Sequence, residues 1–324
     1  MYRGGRASCQ TSPKTCRGLL GDEPTPRSFS RMIWTRCWRC ALGLALGIGA
    51  AVAAWAATAE SLTLHATRQS AFDLEVTGSL VGTSERAFLR HADLATLPQA
   101  TLDVKGGFEA PDTRHELTVV WLSDLWASLP RASGADTILA RCKDGYFSVY
   151  RAENLAALKP FLVLEINGHG PADWPVEGMR YNPGPNVILV SGEVAPAVDA
   201  LLDPGHKKPW GVTSLEIGAY ADLFKPAYSG KWNALSPEAL LGRDIWINSC
   251  ASCHVGPGGM VGGIKSGRPF EVVAAHAGYN RAYFEHYVRD PKGAMPGATM
   301  EAHPHYNDQQ MAALIAFITA DGKK

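Results

Sequence analysis

The chain has 324 residues, enough for about two ordinary domains. Its 31 Lys and Arg match 31 Asp and Glu, but residues 60–324 alone carry 23 basic against 29 acidic side chains, a net charge of about −6, which argues against a nucleic-acid partner. Those residues hold three of the seven cysteines, an odd number that no complete disulfide pairing absorbs.

Residues 1–31 are rich in Arg, Ser, Thr and Pro and lack hydrophobic periodicity. They read as an upstream misassigned start or a disordered extension, with Met32 the more natural start. From Ala41 the stretch ALGLALGIGAAVAA is uncharged and small-residue-rich; Arg36 and Arg39 precede it, and Ala57-Thr58-Ala59 offers a small-x-small cleavage site. Residues 1–59 are therefore expected to be a presequence with a signal peptide cleaved after Ala59. The 14-residue apolar core is short against the roughly 20 residues of a spanning helix. An uncleaved membrane anchor is the alternative, because the apolar run extends to Ala57. Either way the remainder is expected in the periplasm. Cys9, Cys16, Cys37 and Cys40 fall in this segment, so the CWRC at 37–40 lacks the second ligand pair and the folded context of a structural zinc site.

Residues 60–225 form short β-favouring runs between turn signals: SLTLHA, FDLEVTGSL, HELTVVWL, TILARC, YFSVYR, PNVILVS and TSLEIGAY. Helical pieces interrupt them around LSDLWASL and AENLAAL. Strands with a few helices predict an α+β domain built on a mostly antiparallel or mixed sheet. Here DPGHKKPW around His206 reads as a solvated turn, and Trp174 and Trp210 as core or rim aromatics. The Pro-, Gly- and Asn-bearing segment 226–236 reads as a linker.

Residues 237–324 read as all-α. Ser236 as N-cap, Pro237 at the first helical position and Glu238 near the positive end start a helix, with Leu241 and Ile245, and Gly242 and Trp246, four apart on its surface. That helix runs into Cys250-Ala251-Ser252-Cys253-His254. In C-x-x-C-H the two thiols form thioethers to haem vinyl groups and the next imidazole reaches the iron, so Cys250 and Cys253 are expected to attach one haem c and His254 to ligate it. A zinc site would need two further ligands, for which His276 and His286 are the candidates. Asn280 caps a run whose Tyr283, Phe284, Tyr287 and Val288 form an apolar stripe. Asn307 with Gln310 makes a capping-box start to a last helix with Met311, Leu314, Ile315 and Ile318 on one face and Gly322 beyond it. Three short helices around a flat apolar cofactor suit about 88 residues with little core of their own.

The first-helix segment GRDIWINSCASCH, the segment DPKGAMPGATM and the final helix with Phe317 resemble class I cytochromes c over residues 237–321. The resemblance implies a methionine as second axial ligand, placed on Met300 by PGATM, with Met295 in AMPG as rival; Met311 reads as core. Ligation by His276, His303 or His305 is a further alternative to their being ordinary surface residues. His/Met ligation leaves no open position, so electron transfer is the expected outcome. A haem-based ligand sensor would need an easily vacated site.

Upstream, LEVTGSLVG with LRHADLATLPQATL, VVWLSDLWASL and ILARCKDGYFSVYRAENL resemble the sulfite-oxidase-type molybdopterin domain in compact form, over most of residues 62–224. In catalytic members a cysteine thiolate binds molybdenum, and Cys142 falls at or near that place; Arg141, Lys143 and Arg180 are candidates to hold an oxyanion. The RCKDGY flank departs from the Cys-x-Gly-Asn-like turn of catalytic relatives, about 165 residues is short for gripping a whole pterin, and a free cysteine is commonly plain packing. The expectation is an exported monohaem electron carrier with a cofactor-free α+β docking domain and redox proteins as partners, the acidic balance favouring a basic partner surface. The alternative is a molybdenum-dependent sulfite dehydrogenase passing electrons to its own haem.

Overall fold

The computed structural model describes residues 61–82, 86–105, 108, 113–196, 201–260, 262 and 266–320. The signal segment, its cleavage site and Cys9, Cys16, Cys37 and Cys40 lie outside these residues. Among the described residues no helix is long and apolar enough to cross a membrane.

Nine strands form two sheets among the described residues. β1 (Leu74–Gly78), β2 (Arg86–Leu89), β5 (Thr137–Cys142), β6 (Phe147–Arg151) and β9 (Val212–Gly218) make a five-stranded sheet in the order β2-β1-β9-β5-β6. β3 (Gln99–Lys105), β4 (Arg114–Trp121), β7 (Phe161–Ile166) and β8 (Val187–Leu189) make a four-stranded sheet in sequence order. The β1–β9 pair is parallel and the other pairs are antiparallel. Short helices α1 (His91–Leu94), α2 (Leu122–Ser128) and α3 (Leu155–Leu158) connect strands, and α4 (Tyr220–Leu223) follows the last one. The region is α+β with mixed pairing, as expected.

SLTLHA does not become a strand. Leu62 N–H bonds the Ser128 carbonyl at the end of α2, and only His65 bridges Phe88, so this run closes a helix end and does not extend the sheet. β2, β3 and β7 went unforeseen. β7, FLVLEI, is buried at five of its six positions between β4 and β8, so it shows none of the polar alternation that marks a half-exposed strand.

After residue 236 the chain is helical: α5 (Pro237–Ile245), α6 (Phe270–Tyr279), α7 (Arg281–Arg289), α8 (Pro291–Ala294) and α9 (Asp308–Ile318). The caps fall where the sequence places them. Ser236 Oγ accepts from Ala239 N–H at 3.2 Å, Asn280 from Tyr283 N–H at 3.0 Å, and Asn307 and Gln310 exchange both capping-box bonds. α6 is an addition, and the α7 stripe is narrower than read: Val288 is buried, whereas Tyr283 is exposed.

Sheet alternation places the two halves. On β5 and β6, Leu139, Phe147 and Val149 join the apolar cluster of Trp246, Ile247 and Cys250, while Ile138, Ala140, Cys142 and Tyr150 join the core on the other face. Residues 226–236 are packed and do not form a loose linker. Ala227 and Trp232 are buried, Trp232 contacts Phe270 and Phe317 at centroid distances of 5.4 and 5.2 Å, and the Arg243 guanidinium lies 3.5 Å over the Tyr228 ring. An aromatic at that position outweighs the turn-forming residues around it, because burying it removes a large apolar area from water.

Candidate functional site

α5 does not stop at Ile245. It widens into a single π turn over Trp246–Cys250, in which Ala251 N–H donates to the Trp246 carbonyl at 2.9 Å, a feature that recurs at functional sites. Cys253 N–H and His254 N–H then both donate to the Cys250 carbonyl, at 3.1 and 2.9 Å. The second is an i to i+4 bond, so Cys250, Cys253 and His254 share one helical turn, the two thiols on one side and the imidazole just beyond. No disulfide joins the two cysteines. Ser266 N–H returns to the Cys253 carbonyl at 3.0 Å, and Gly262 sits so close to Ala251 that a methyl group there would overlap its carbonyl oxygen.

Aromatic side chains support this turn from behind. The fully buried Trp246 ring meets Phe270 edge-on at 5.0 Å and lies 6.1 Å from the His254 ring. Gly242 lets α5 cross α9 at close range, since a Cβ at that position would overlap the Ala313 carbonyl and Phe317. Around the motif, Trp246 Nε1, Ser249 Oγ, His254 Nδ1 and the Tyr306 hydroxyl are buried without hydrogen-bond partners. Native interiors rarely leave such groups unpaired, so this cluster fits a site shaped for a bound group. Burial, aided by the charges of His303 and Arg268, pulls the His254 pKa down and favours the neutral imidazole that ligates metals.

The methionine loop follows α8. Ala298 N–H closes a turn on the Met295 carbonyl at 3.0 Å, and Gly297 takes φ +88°, the conformation a type II turn requires after proline. Met300 emerges from it half-buried against the cluster that contains Cys250 and Trp246, whereas Met295 is 46% exposed. Met311 is fully buried on α9. His276 and His286 are both exposed on α6 and α7.

The family model described as "Cytochrome C oxidase, cbb3-type, subunit III" matches residues 237–318. Residues 237–318 form a cytochrome c domain. Over 84 residues the chain is 35% identical to cytochrome c oxidase subunit 2 of Alkalihalophilus pseudofirmus, a match covering 24% of each chain, so the chain spans about a quarter of that relative. The sulfane dehydrogenase SoxCD from Paracoccus pantotrophus is similar over 47% of this chain and 40% of that one, at 18% identity and a TM-score of 0.33, a likeness too slight to bear on function.

The cytochrome c domain is held to the sheet region by a turn that the sequence reads as solvated. Asp203, His206 and Lys207 are in fact 4%, 5% and 1% exposed. β6 and the turn before it grip this segment: Ser148 Oγ donates to the His206 carbonyl at 2.6 Å, Tyr150 OH to the Lys207 carbonyl at 3.0 Å, and Tyr146 OH meets His206 Nδ1 at 3.1 Å. On the cytochrome side, Lys207 Nζ donates to Asn248 Oδ1 at 3.0 Å, within the π turn, and Asp203 Oδ2 pairs with His303 Nδ1 at 2.9 Å. Burial lowers the Lys207 pKa to about 7, against the pull of Asp203. For Asp203, burial acts upward, but the His303 hydrogen bond and neighbouring imidazoles outweigh it and hold the carboxyl at about 2. His303, read as a surface residue, is 3% exposed.

Cys142 lies in the opposite core, 6% exposed, with Val212 and Leu215 in the same cluster. Burial first, then the nearby Asp144 charge, pushes its thiol up to about 12 despite Lys143. Arg141 is committed to Glu216 at 2.6 Å, Lys143 Nζ donates to the Gly184 carbonyl at 3.2 Å, and Arg180 is exposed over Tyr181. Each of these candidate oxyanion holders is thus engaged by another group or exposed. Trp174 is buried in the core of the four-stranded sheet, and Trp210 packs against it.

Proposed function

We propose that this chain is an exported, periplasmic single-haem c-type cytochrome that passes electrons one at a time between redox proteins, its α+β region acting as a cofactor-free docking scaffold. The observation that carries this reading is the single helical turn of Cys250, Cys253 and His254 inside a cytochrome c domain, ringed by unpartnered buried polar atoms. Haem iron supplies one-electron exchange when bound.

The chain's own residues would do the rest. Cys250 and Cys253 would hold the group by thioether bonds, so that it could not be lost outside the cell. His254, with a neutral imidazole, and Met300, on the turn that Gly297 permits, would hold the iron. Trp246, Phe270 and Phe317 pack together behind the His254 turn, and a methionine ligand would favour a raised potential. Partners would meet the exposed edge of the site, and the acidic balance of residues 60–324 favours a basic partner surface.

A metal count separates this function from a molybdenum-dependent sulfite dehydrogenase. Iron near one per chain, no stoichiometric molybdenum and no haem reduction on adding sulfite are expected. Molybdenum near one per haem with sulfite-driven reduction would overturn the proposal in favour of the dehydrogenase.

A further inference from the structure

The turn at 203–206 and the loop at 301–305 bring together polar side chains beside the haem-attachment turn. Asp203, His206 and His303 are all buried, and one donor atom from each lies within 4.8 Å of the other two. Among the described residues no other group of three or more His, Cys, Asp or Glu side chains meets that spacing. Asp203 Oδ2 and His303 Nδ1 are already 2.9 Å apart. His206 is the telling member. Its Nδ1 is engaged by the Tyr146 hydroxyl at 3.1 Å, while its Nε2 is buried with no hydrogen-bond partner. The nearest charged atom to that nitrogen is Glu301 Oε2 at 3.7 Å, too far for a hydrogen bond.

We propose that Asp203, His206 and His303 bind a zinc-class divalent metal ion, with Glu301 as the fourth ligand. Two imidazoles and two carboxylates form the borderline nitrogen and oxygen set that zinc accepts, and imidazole disfavours calcium and magnesium. Donors at about 2.0–2.1 Å from a tetrahedral zinc stand roughly 3.3 Å apart. The Asp203–His303 separation of 2.9 Å and the His206–Glu301 separation of 3.7 Å lie on either side of that value; the three buried donors, within 4.8 Å of one another, would draw in, and the exposed Glu301 carboxylate would swing in to join them. Binding at His303 Nδ1 requires the proton it shares with Asp203 to shift to Nε2, so the ring ligates as a neutral imidazole, and no electron moves. Tyr146, on the second nitrogen of His206, orients that ring as an outer-shell partner. His305 Nε2, 3.9 Å from Asp203 Oδ2, stands by at the exposed side. The ion would tie the loop that follows Met300 to the sheet region across about 100 residues of sequence.

The test uses the full chain, purified without a histidine tag, stripped with a chelator and titrated with zinc against a chromogenic competitor. One equivalent bound at sub-micromolar Kd is expected, weakened at least 100-fold in His206→Gln and Asp203→Asn, and unchanged in His276→Gln, which alters an exposed histidine. Absent stoichiometric binding, or equal affinity in a folded His206→Gln, overturns the proposal. Should the buried variants fail to fold, zinc-edge X-ray absorption on the unaltered chain decides. A shell of imidazole nitrogen and oxygen supports the site, and sulfur in the shell assigns the ion to Cys250 and Cys253 and overturns it. None of these readouts depends on haem being present, so failure here leaves the electron-carrier reading standing, and the reverse holds too.

Discussion

Met300 carries the sharpest residue-level expectation. It is half-buried against the Cys250 cluster while Met295 stands 46% exposed. Met300→His should lower the midpoint potential by on the order of 0.1 V, within the roughly 0.8 V that axial ligands command, and Met300→Leu should open a coordination position to carbon monoxide. Met295→Leu should change neither in a redox titration; the reverse pattern would move the ligand to Met295. At this scale the sequence was legible where chemistry is contiguous. Cys250, Cys253 and His254 lie within five residues and need only one helical turn to converge. Asp203 and His206 were not legible, since DPGHKKPW is as polar as a surface turn. Contacts with Tyr146, Ser148, Tyr150, Asn248 and His303, from 41 to 100 positions away, take it out of water.

At the scale of elements, capping chemistry was read almost residue for residue, because a cap is a local hydrogen bond between a side chain and a backbone N–H a few positions on. Ser236, Asn280 and Asn307 all cap as expected. Among the strands, β5 and β6 were found although nearly every position is buried, while β7, equally buried, and β3, whose exposure alternates, were missed. What sequence patterning could not reveal is how closely two helices approach. In sequence Gly242 shows only its place four residues before Trp246 on the helix surface; in the structure the Ala313 carbonyl and Phe317 fill the space its missing side chain leaves. Gly242→Ala gains helix propensity of about 1 kcal/mol, but must push α5 off α9, which costs about 1–3 kcal/mol. A net destabilisation is expected in denaturant melts, and an unchanged or raised midpoint would contradict the close crossing.

On the scale of the whole molecule, the described sheet and helical regions share a buried, charged seam. Lys207 reports on it. Its amine is charged below about 7 in the folded protein and below about 10.5 in the unfolded chain, so between these values the unfolded chain binds more protons. Stability should therefore rise with pH from about 7 to 10.5 through this group. Lys207→Met should flatten that part of the profile and leave the protein at least as stable near neutral pH, since replacing a buried charge by an apolar chain of similar length is often neutral or favourable. A profile that is the same in both proteins would mean that Lys207 is solvated.

The most direct test of the central claim is whether the pigment is bonded to the polypeptide. The purified full chain is denatured and extracted with acidified organic solvent, and its intact mass is measured. The account predicts that colour stays with the protein and that the mass exceeds the polypeptide's by one haem, with Cys250→Ala plus Cys253→Ala abolishing both. Pigment that leaves with the solvent, or a chain that never carries any, would contradict it.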